Sequence, residues 1–157
     1  MANPIEFKIE VEGLDRLKRA VAATEENLRK ELLGALESGA RHVQDEAIKS
    51  INRGVKTGRL YKVGTVWRRA SAPGEPPANQ TKALTDRGFR VRLDKEAMSA
   101  FVVVMTEGFT NYARLLEFGT SKMAARPFLF PAVESSRAWI EKRLNKAVDR
   151  AIKRSGK

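Results

Sequence analysis

A serine, a histidine and an aspartate occur close together at Ser38, His42 and Asp45, and these residue types form the catalytic triad of many hydrolases. His42 is the one histidine of the chain. All three positions fall within a single predicted helix, and this spacing does not give a nucleophile bonded to a base that a third group orients. A lone helical histidine is typical of a packing or surface residue. The sequence therefore predicts no hydrolase triad.

Metal and phosphate chemistry also lack their usual residues. With no cysteine and one histidine, zinc sites of the usual composition and disulfides are excluded. Residues 53–65 contain glycines and lysines, but neither the GK[ST] sequence nor a following helix of a phosphate-binding loop. Neighbouring carboxylates such as Glu25 and Glu26 point apart on a helix. We expect a protein that is not an enzyme and that uses neither cofactor nor metal.

Basic and aromatic side chains are interleaved in the middle of the chain. The set comprises Arg59, Tyr61, Lys62, Trp67, Arg68 and Arg69. Stacking aromatics with phosphate-binding cations suit single-stranded nucleic acid, although no recognised nucleic-acid-binding motif accompanies them. An acidic protein surface would attract the same cations, and the aromatics would equally serve to hold the segment on its own domain. From the residues alone, these alternatives stay open.

The net charge of +11 is distributed unevenly over the 157 residues. Residues 1–52 carry 8 basic and 10 acidic side chains, residues 53–95 carry 11 and 3, and residues 96–157 carry 11 and 6. A basic excess attracts nucleic acid or acidic proteins, and salt weakens the attraction. No apolar run approaches the roughly 20 residues of a membrane span, so we expect no membrane partner.

The first half of the chain predicts a strand followed by a long helix. Residues 5–11 alternate between apolar and polar side chains, which is typical of a strand. Apolar residues at helical spacing then predict one helix over about residues 14–52, ending before Gly54. Residues 53–83 are rich in glycine, proline and small polar residues, which predicts a long, mobile loop or loose hairpin.

The second half predicts an antiparallel hairpin and a final helix. Residues 86–95 alternate, and the β-branched, apolar residues 99–106 indicate a more buried strand. Residues 112–118 fit either a third strand or a helical turn. A helical stripe predicts the last helix over about residues 131–153. The predicted class is α+β in a single domain over residues 1–157, with an antiparallel β-sheet packed with a long N-terminal helix and a C-terminal helix.

Two motifs occur in order along this chain. The first is Arg59-Leu60-Tyr61 followed by the segment ASAPGEPPA at residues 70–78. The second comprises Tyr112-Ala113, Glu117-Phe118-Gly119-Thr120 and Ala125-Arg126-Pro127-Phe128, followed by Pro131. Over roughly residues 10–150 the chain resembles the gene-product-ten-like tail-component family of tailed bacteriophages, which are head–tail joining or tail-completion proteins. Lys82 stands where that family often has a glycine, which affects a local turn.

This resemblance implies a structural virion protein at the head–tail junction, present in the host cytoplasm during assembly. It implies a ring, expected to be hexameric, around the DNA channel. The implied partners are other copies of the chain, the head–tail connector, and tail tube or terminator proteins, with a contact to DNA in the channel. The alternative is a basic nucleic-acid-binding accessory protein.

The expected interface residues come from the loop and from the second motif. They are Arg59, Tyr61, Trp67, Arg68, Arg69, Glu117, Phe118, Gly119, Thr120, Arg126, Pro127 and Phe128. Phe118-Gly119-Thr120 is expected to end a strand with a turn that glycine permits. Of Phe128 and Phe130, we expect one to be buried and the other to point outward. Arg126 is expected to reach an acidic group on a neighbouring subunit.

Overall fold

The computed structural model describes residues 5–9, 26–80, 82–105 and 112–155, and it confirms the α+β class. The strands in this part of the chain are β1 (Ile5–Ile9), β2 (Leu60–Val63), β3 (Val66–Arg69), β4 (Phe89–Asp94) and β5 (Ser99–Val104). The helices there are α1 (Glu26–Arg53), α2 (Ala83–Asp86), α3 (Tyr112–Phe118) and α4 (Leu129–Ser155).

Strand β5 lies at the centre of a three-stranded antiparallel sheet in the order β1-β5-β4. Val102 is paired with Phe7 on one side and with Val91 on the other, which confirms the predicted hairpin of β4 and β5. Ala100, Val102 and Val104 are buried on one face of β5. The central position explains why this strand is β-branched and apolar where β4 alternates. The strand ends at Val104, earlier than predicted.

Helix α1 packs on both the sheet and α4, so it forms the middle of the core. Its buried stripe includes Leu32, Leu36, Val43 and Ile51. The predicted helix over residues 14–52 is confirmed from Glu26 onward, and the prediction for residues 14–25 lies outside the described residues.

Helices α1 and α4 run antiparallel along each other. Glu31 near the start of α1 lies 3.6 Å from Arg150 near the end of α4, while His42 stacks on Trp139 with ring centroids 4.1 Å apart. A Cβ added at Gly39 would lie 3.3 Å from Cγ1 of Ile140, so Gly39 lets the Ile140 side chain pack closely against the backbone of α1. This pairing of long amphipathic helices supplies much of the buried apolar surface that stabilises the fold.

Two sequence predictions need correction. Residues 112–118 form helix α3, which is the helical one of the two predicted alternatives. The expectation that Phe118-Gly119-Thr120 ends a strand is wrong, because the turn at Gly119 ends this helix. Helix α4 begins at Leu129, two residues before Pro131. Proline has no backbone N–H group. Pro131 is tolerated there because the N–H groups in the first turn of a helix have no intrahelical acceptor, so none is lost. The predicted loop over residues 53–83 contains the antiparallel hairpin of β2 and β3.

Candidate assembly surface

Two of the residues that suggested hydrolase chemistry, Ser38 and His42, have structural contacts. Ser38 Oγ donates a hydrogen bond to Gly34 O at 2.8 Å, and the imidazole ring of His42 stacks on Trp139 with an interplanar angle of 16°. Among the described residues, no three His, Cys, Asp or Glu side chains form a group that could hold a metal ion. The stacking of His42 on Trp139 agrees with the predicted packing or surface role.

Glu117, the one acidic residue of the second motif, is buried, with 4% of its surface exposed. Oε2 accepts the backbone N–H groups of Phe128 and Leu129 at 2.9 and 3.0 Å, and Oε1 accepts that of Phe130 at 2.8 Å. The first N–H groups of a helix have no intrahelical acceptor, and a negative charge at that end is also favoured by the helix dipole. The carboxylate of Glu117 on α3 thus caps the N-terminus of α4.

Gly119 allows the chain to leave α3 and return to this cap. Its φ of +76° is in the left-handed region, and its N–H donates to Leu115 O at 2.9 Å as the helix ends. A Cβ there would lie 2.7 Å from both Ala125 N and Met123 O. Thr120 and Met123 then bond each other's backbone across a tight turn. Residue 119 is a glycine because its backbone has a positive φ and because there is no room for a Cβ atom.

The two sequence motifs are bonded to each other. Arg126 donates from Nε at 3.3 Å and from Nη2 at 3.0 Å to the carbonyl oxygen of Ser71, a residue that is buried. Gly74 N–H donates to Ala125 O at 2.9 Å, and Arg126 N–H donates to Leu116 O at 2.7 Å. Segment 70–78 is therefore fixed against the connection between α3 and α4.

Glu75 closes the loop that carries the hairpin. Its carboxylate accepts the Thr57 hydroxyl at 2.6 Å, the Thr57 N–H at 2.9 and 3.1 Å, and the Ala72 N–H at 2.8 Å. The hydrogen bond from the Thr57 side chain, followed by those from the backbone of Ala72 and Thr57, lowers the pKa of Glu75. Burial lowers the pKa of the nearby Lys56, and the charge of Glu75 partly offsets that effect. This set of contacts, the Glu75 clip, joins both ends of segment 57–75.

The hairpin of β2 and β3 has two different faces. Lys62 pairs with Trp67, and Leu60 pairs with Arg69, so these four residues share one face, here called the outer hairpin face. All four are exposed, Trp67 at 66%.

The opposite hairpin face contacts the rest of the chain. Tyr61 pairs across the strands with Arg68, which places them on one face. Gln80 Nε2 donates to the Tyr61 hydroxyl, and Arg68 Nη1 donates to Gln80 O at 3.2 Å. The hairpin is therefore held on one side and presents the outer hairpin face.

Helix α3 also has an outward apolar face. Tyr112, Leu115 and Phe118 recur every third residue and are exposed, Phe118 at 63%, whereas Ala113, Leu116 and Glu117 are buried. Leu115, Phe118, Arg114 and Gly119 line a shallow depression of about 340 Å³. We call Tyr112, Leu115 and Phe118 the α3 stripe. Exposed large apolar side chains that lie next to one another are a common feature of interaction sites.

The predicted interface residues divide by burial. Arg59, Trp67, Arg69, Phe118 and Thr120 are exposed. Tyr61, Arg68, Gly119, Arg126 and Pro127 are half-buried, while Glu117 and Phe128 are buried. Phe130 is exposed, which confirms that one of the two phenylalanines points outward. Their participation in an interface stays a prediction, and the buried members would act by positioning the exposed ones.

Four exposed members of these surfaces are absent from the predicted interface set, although the sequence motifs or the basic and aromatic set include three of them. They are Leu60, Lys62, Tyr112 and Leu115. The three-residue spacing of Tyr112, Leu115 and Phe118 would have revealed the α3 stripe if the segment had been assigned as a helix. Leu60 and Lys62 share a face with Trp67 only through the strand register. No helix in the described ranges is both long and apolar enough to cross a membrane.

Comparison with known proteins identifies the family. Residues 15–119 match a family model described as "Bacteriophage HK97-gp10, putative tail-component". No curated protein and no solved structure gives a significant match. The matched range ends at Gly119, so it contains the Glu75 clip, both hairpin faces and the α3 stripe, while Arg126 and α4 lie beyond it. The chain belongs to the HK97-gp10-like family of bacteriophage tail components.

Proposed function

We propose that this protein joins head and tail in the phage particle, as a ring of identical subunits that acts by binding without catalysis. Membership of a tail-component family supports a structural role and contacts with other phage structural proteins. Its location would be the virion, at the head–tail junction. The expected partners are other copies, the head–tail connector, and tail tube or terminator proteins.

The observation that carries the proposal is the α3 stripe. Tyr112, Leu115 and Phe118 expose large apolar side chains on a helix whose other face is buried against the core. Exposing such a face to water is unfavourable, and burying it in a subunit contact would recover about 25 cal/mol for each Å² of apolar surface. The depression lined by Leu115 and Phe118 gives an apolar side chain of a partner a place to insert.

A ring requires two different surfaces on each subunit. A head-to-tail contact joins one patch to another, and the contacts close into a ring when the rotation permits. The α3 stripe supplies one patch, and an acceptor surface elsewhere on the next copy supplies the other. Six copies is the number that resemblance to the family implies.

The cap and the loop contacts support this role indirectly. Glu117 fixes α3 against α4, and therefore fixes the direction in which Phe118 points. The Glu75 clip and Arg126 hold the base of the loop. We propose that any ordering of this loop on assembly is confined to the hairpin beyond that base.

Site-specific photo-crosslinking tests the subunit contact. A photoreactive phenylalanine analogue replaces Phe118 in the particle, and the matched control carries it at Lys142, an exposed position on α4. We expect covalent dimers of this chain from position 118 and none from position 142. Crosslinks from position 118 exclusively to other virion proteins, or none at all, would contradict the proposed self-contact.

A further inference from the structure

We propose that the outer hairpin face, formed by Leu60, Lys62, Trp67 and Arg69, binds the phosphate backbone of duplex DNA without reading its sequence. The inference rests on the proposed position at the head–tail junction, which the DNA crosses. It goes further by assigning the DNA contact to one face of one hairpin.

The segment that carries the hairpin has charged side chains of one sign. Residues 53–74 contain six cations, Arg53, Lys56, Arg59, Lys62, Arg68 and Arg69, and no carboxylate. The first acid that follows, Glu75, is directed at Thr57 and Ala72 through its hydrogen bonds. Clustered cations without local carboxylates match the regular negative charge of DNA.

The hairpin presents two of these cations together. Lys62 lies on β2 and Arg69 on β3, on the same face, with Trp67 directly opposite Lys62. Arg69 Nη1 donates to Gly58 O at 3.3 Å, which orients its guanidinium while the side chain stays exposed. A positioned arginine and a flexible lysine are common phosphate contacts.

The shape of the hairpin suits a duplex. A two-stranded β-ribbon is narrow enough to lie along the major groove of B-form DNA, where long cationic side chains can reach the phosphates at its edges. Gln80 contacts Tyr61 and Arg68 on the opposite face of the hairpin. The outer hairpin face is therefore accessible to a ligand. The exposed indole of Trp67 can pack on the sugar-phosphate backbone there, whereas single-stranded DNA would use it as a stacking platform.

An acidic protein is the competing partner for the same charges. Such a partner would bury Leu60 and Trp67 in a specific contact. DNA requires only that the cations be exposed and spaced along a ribbon, which is what Lys62 and Arg69 provide. The six cations of residues 53–74 have no carboxylate among them, and charge of one sign matches the uniform negative charge of a phosphate backbone more closely than the mixed charges of most protein surfaces. The observations therefore favour DNA.

Fluorescence anisotropy on the isolated full chain tests this proposal with a labelled duplex of about two helical turns. The test variant is Lys62→Gln with Arg69→Gln. The matched control is Lys142→Gln with Lys146→Gln, which removes the same charge from exposed positions on α4. Circular dichroism checks that all variants are folded.

We expect the parent chain to bind the duplex with a steep salt dependence. The hairpin variant should bind about tenfold more weakly and lose about two units of the slope of log K against log salt, one for each phosphate contact. The α4 variant should retain the parent slope to within about one unit.

An equal loss of duplex affinity in both double variants would overturn the assignment to the hairpin. Duplex affinity of the hairpin variant equal to that of the parent chain would overturn it as well. Tighter binding to a single strand of the same length, lost in Trp67→Ala, would overturn the duplex geometry. If the hairpin variant binds DNA normally but fails to join heads to tails, an acidic protein is the partner of this face. The anisotropy assay uses the isolated chain and no particles. A negative result therefore contradicts the DNA contact but not the proposed joining of head and tail.

Discussion

Glu117 Oε2 accepts the backbone N–H of Phe128 at 2.9 Å, so the last turn of α3 supplies the cap of α4. The next two residues donate to the same carboxylate, at 3.0 and 2.8 Å. One acidic side chain thus connects the helix that carries the α3 stripe to the helix that packs along α1. The acidic residue of the Glu-Phe-Gly-Thr segment therefore has a structural role as a helix cap, and the neighbouring Phe118 is exposed.

Replacing Glu117 with alanine should destabilise the fold strongly. The substitution leaves three N–H groups at a buried helix start without an acceptor, which costs about 2–3 kcal/mol. Glu117→Gln should have an intermediate effect because its amide keeps one acceptor oxygen. Urea unfolding measures both variants. The exposed Glu141→Ala on α4 is the matched control and should change the free energy of unfolding by less than about 0.5 kcal/mol. An unchanged midpoint for Glu117→Ala would show that the cap is dispensable.

Arg126→Ala should release segment 70–78 from the α3–α4 connection without unfolding the helices. The side chain donates two hydrogen bonds to Ser71 O, next to the bond from Gly74 N–H to Ala125 O. Amide exchange at Gly74 should accelerate about tenfold, because a charge-assisted hydrogen bond contributes about 1.5 kcal/mol. Arg126→Lys should recover part of the protection, since lysine keeps the charge but not the forked donor. The exposed Arg114→Ala is the control, and equal acceleration there would rule out a specific role for Arg126.

The Glu75 clip should open in acid. The pKa of the Glu75 carboxylate in the folded chain lies below the ordinary value of 4.5, chiefly because it accepts a hydrogen bond from the Thr57 hydroxyl. A depressed folded pKa means that the stabilisation is fully present above about pH 4.5 and is lost as the pH falls through the folded pKa. The Thr57 amide should therefore lose exchange protection in that acidic window. In Glu75→Gln, the exchange protection of the Thr57 amide should be low already at neutral pH. It should not fall further in the acidic window. A pH response that survives in Glu75→Gln would assign the opening to another group.

Gly119→Ala should be much more harmful than Gly64→Ala. Both residues have positive φ, +76° and +60°, so both substitutions carry the strain of a left-handed backbone, about 1 kcal/mol. At Gly119 the new Cβ would also meet Ala125 N and Met123 O at 2.7 Å, whereas nothing lies within 4 Å at Gly64. We expect losses of about 2–4 kcal/mol for Gly119→Ala and about 1 kcal/mol for Gly64→Ala in thermal or urea unfolding. Equal losses would mean that only φ matters.

The fold was largely predictable because its main elements carry strong patterns. Alternation in β4 and the helical stripes of α1 and α4 reflect burial on one face, and burial follows directly from residue type. Helix α3 was ambiguous because seven residues are too few to separate the periods of a helix and a strand. The turn at Gly119 ends α3, and Glu117 bonds residues 11 to 13 positions further along the chain. Neither contact can be read from the apolar pattern of the seven residues themselves.

The candidate site was only partly predictable for the same reason. The sequence marks Glu117, Arg126 and Phe128 as specialised, but only their contacts show that they hold structure together. Equally, the pairing of Lys62 with Trp67 defines the outer hairpin face, and strand register is set by the turn at Gly64 and Thr65 rather than by either residue alone.

Electron microscopy of a lysate tests the central claim most directly. The gene is disrupted in its phage or prophage, the lysate is imaged after induction, and the intact gene supplied in trans is the control. The joining role predicts DNA-filled heads beside separate, unattached tails, with normal particles restored by the control. Normal infectious particles without the gene would contradict it.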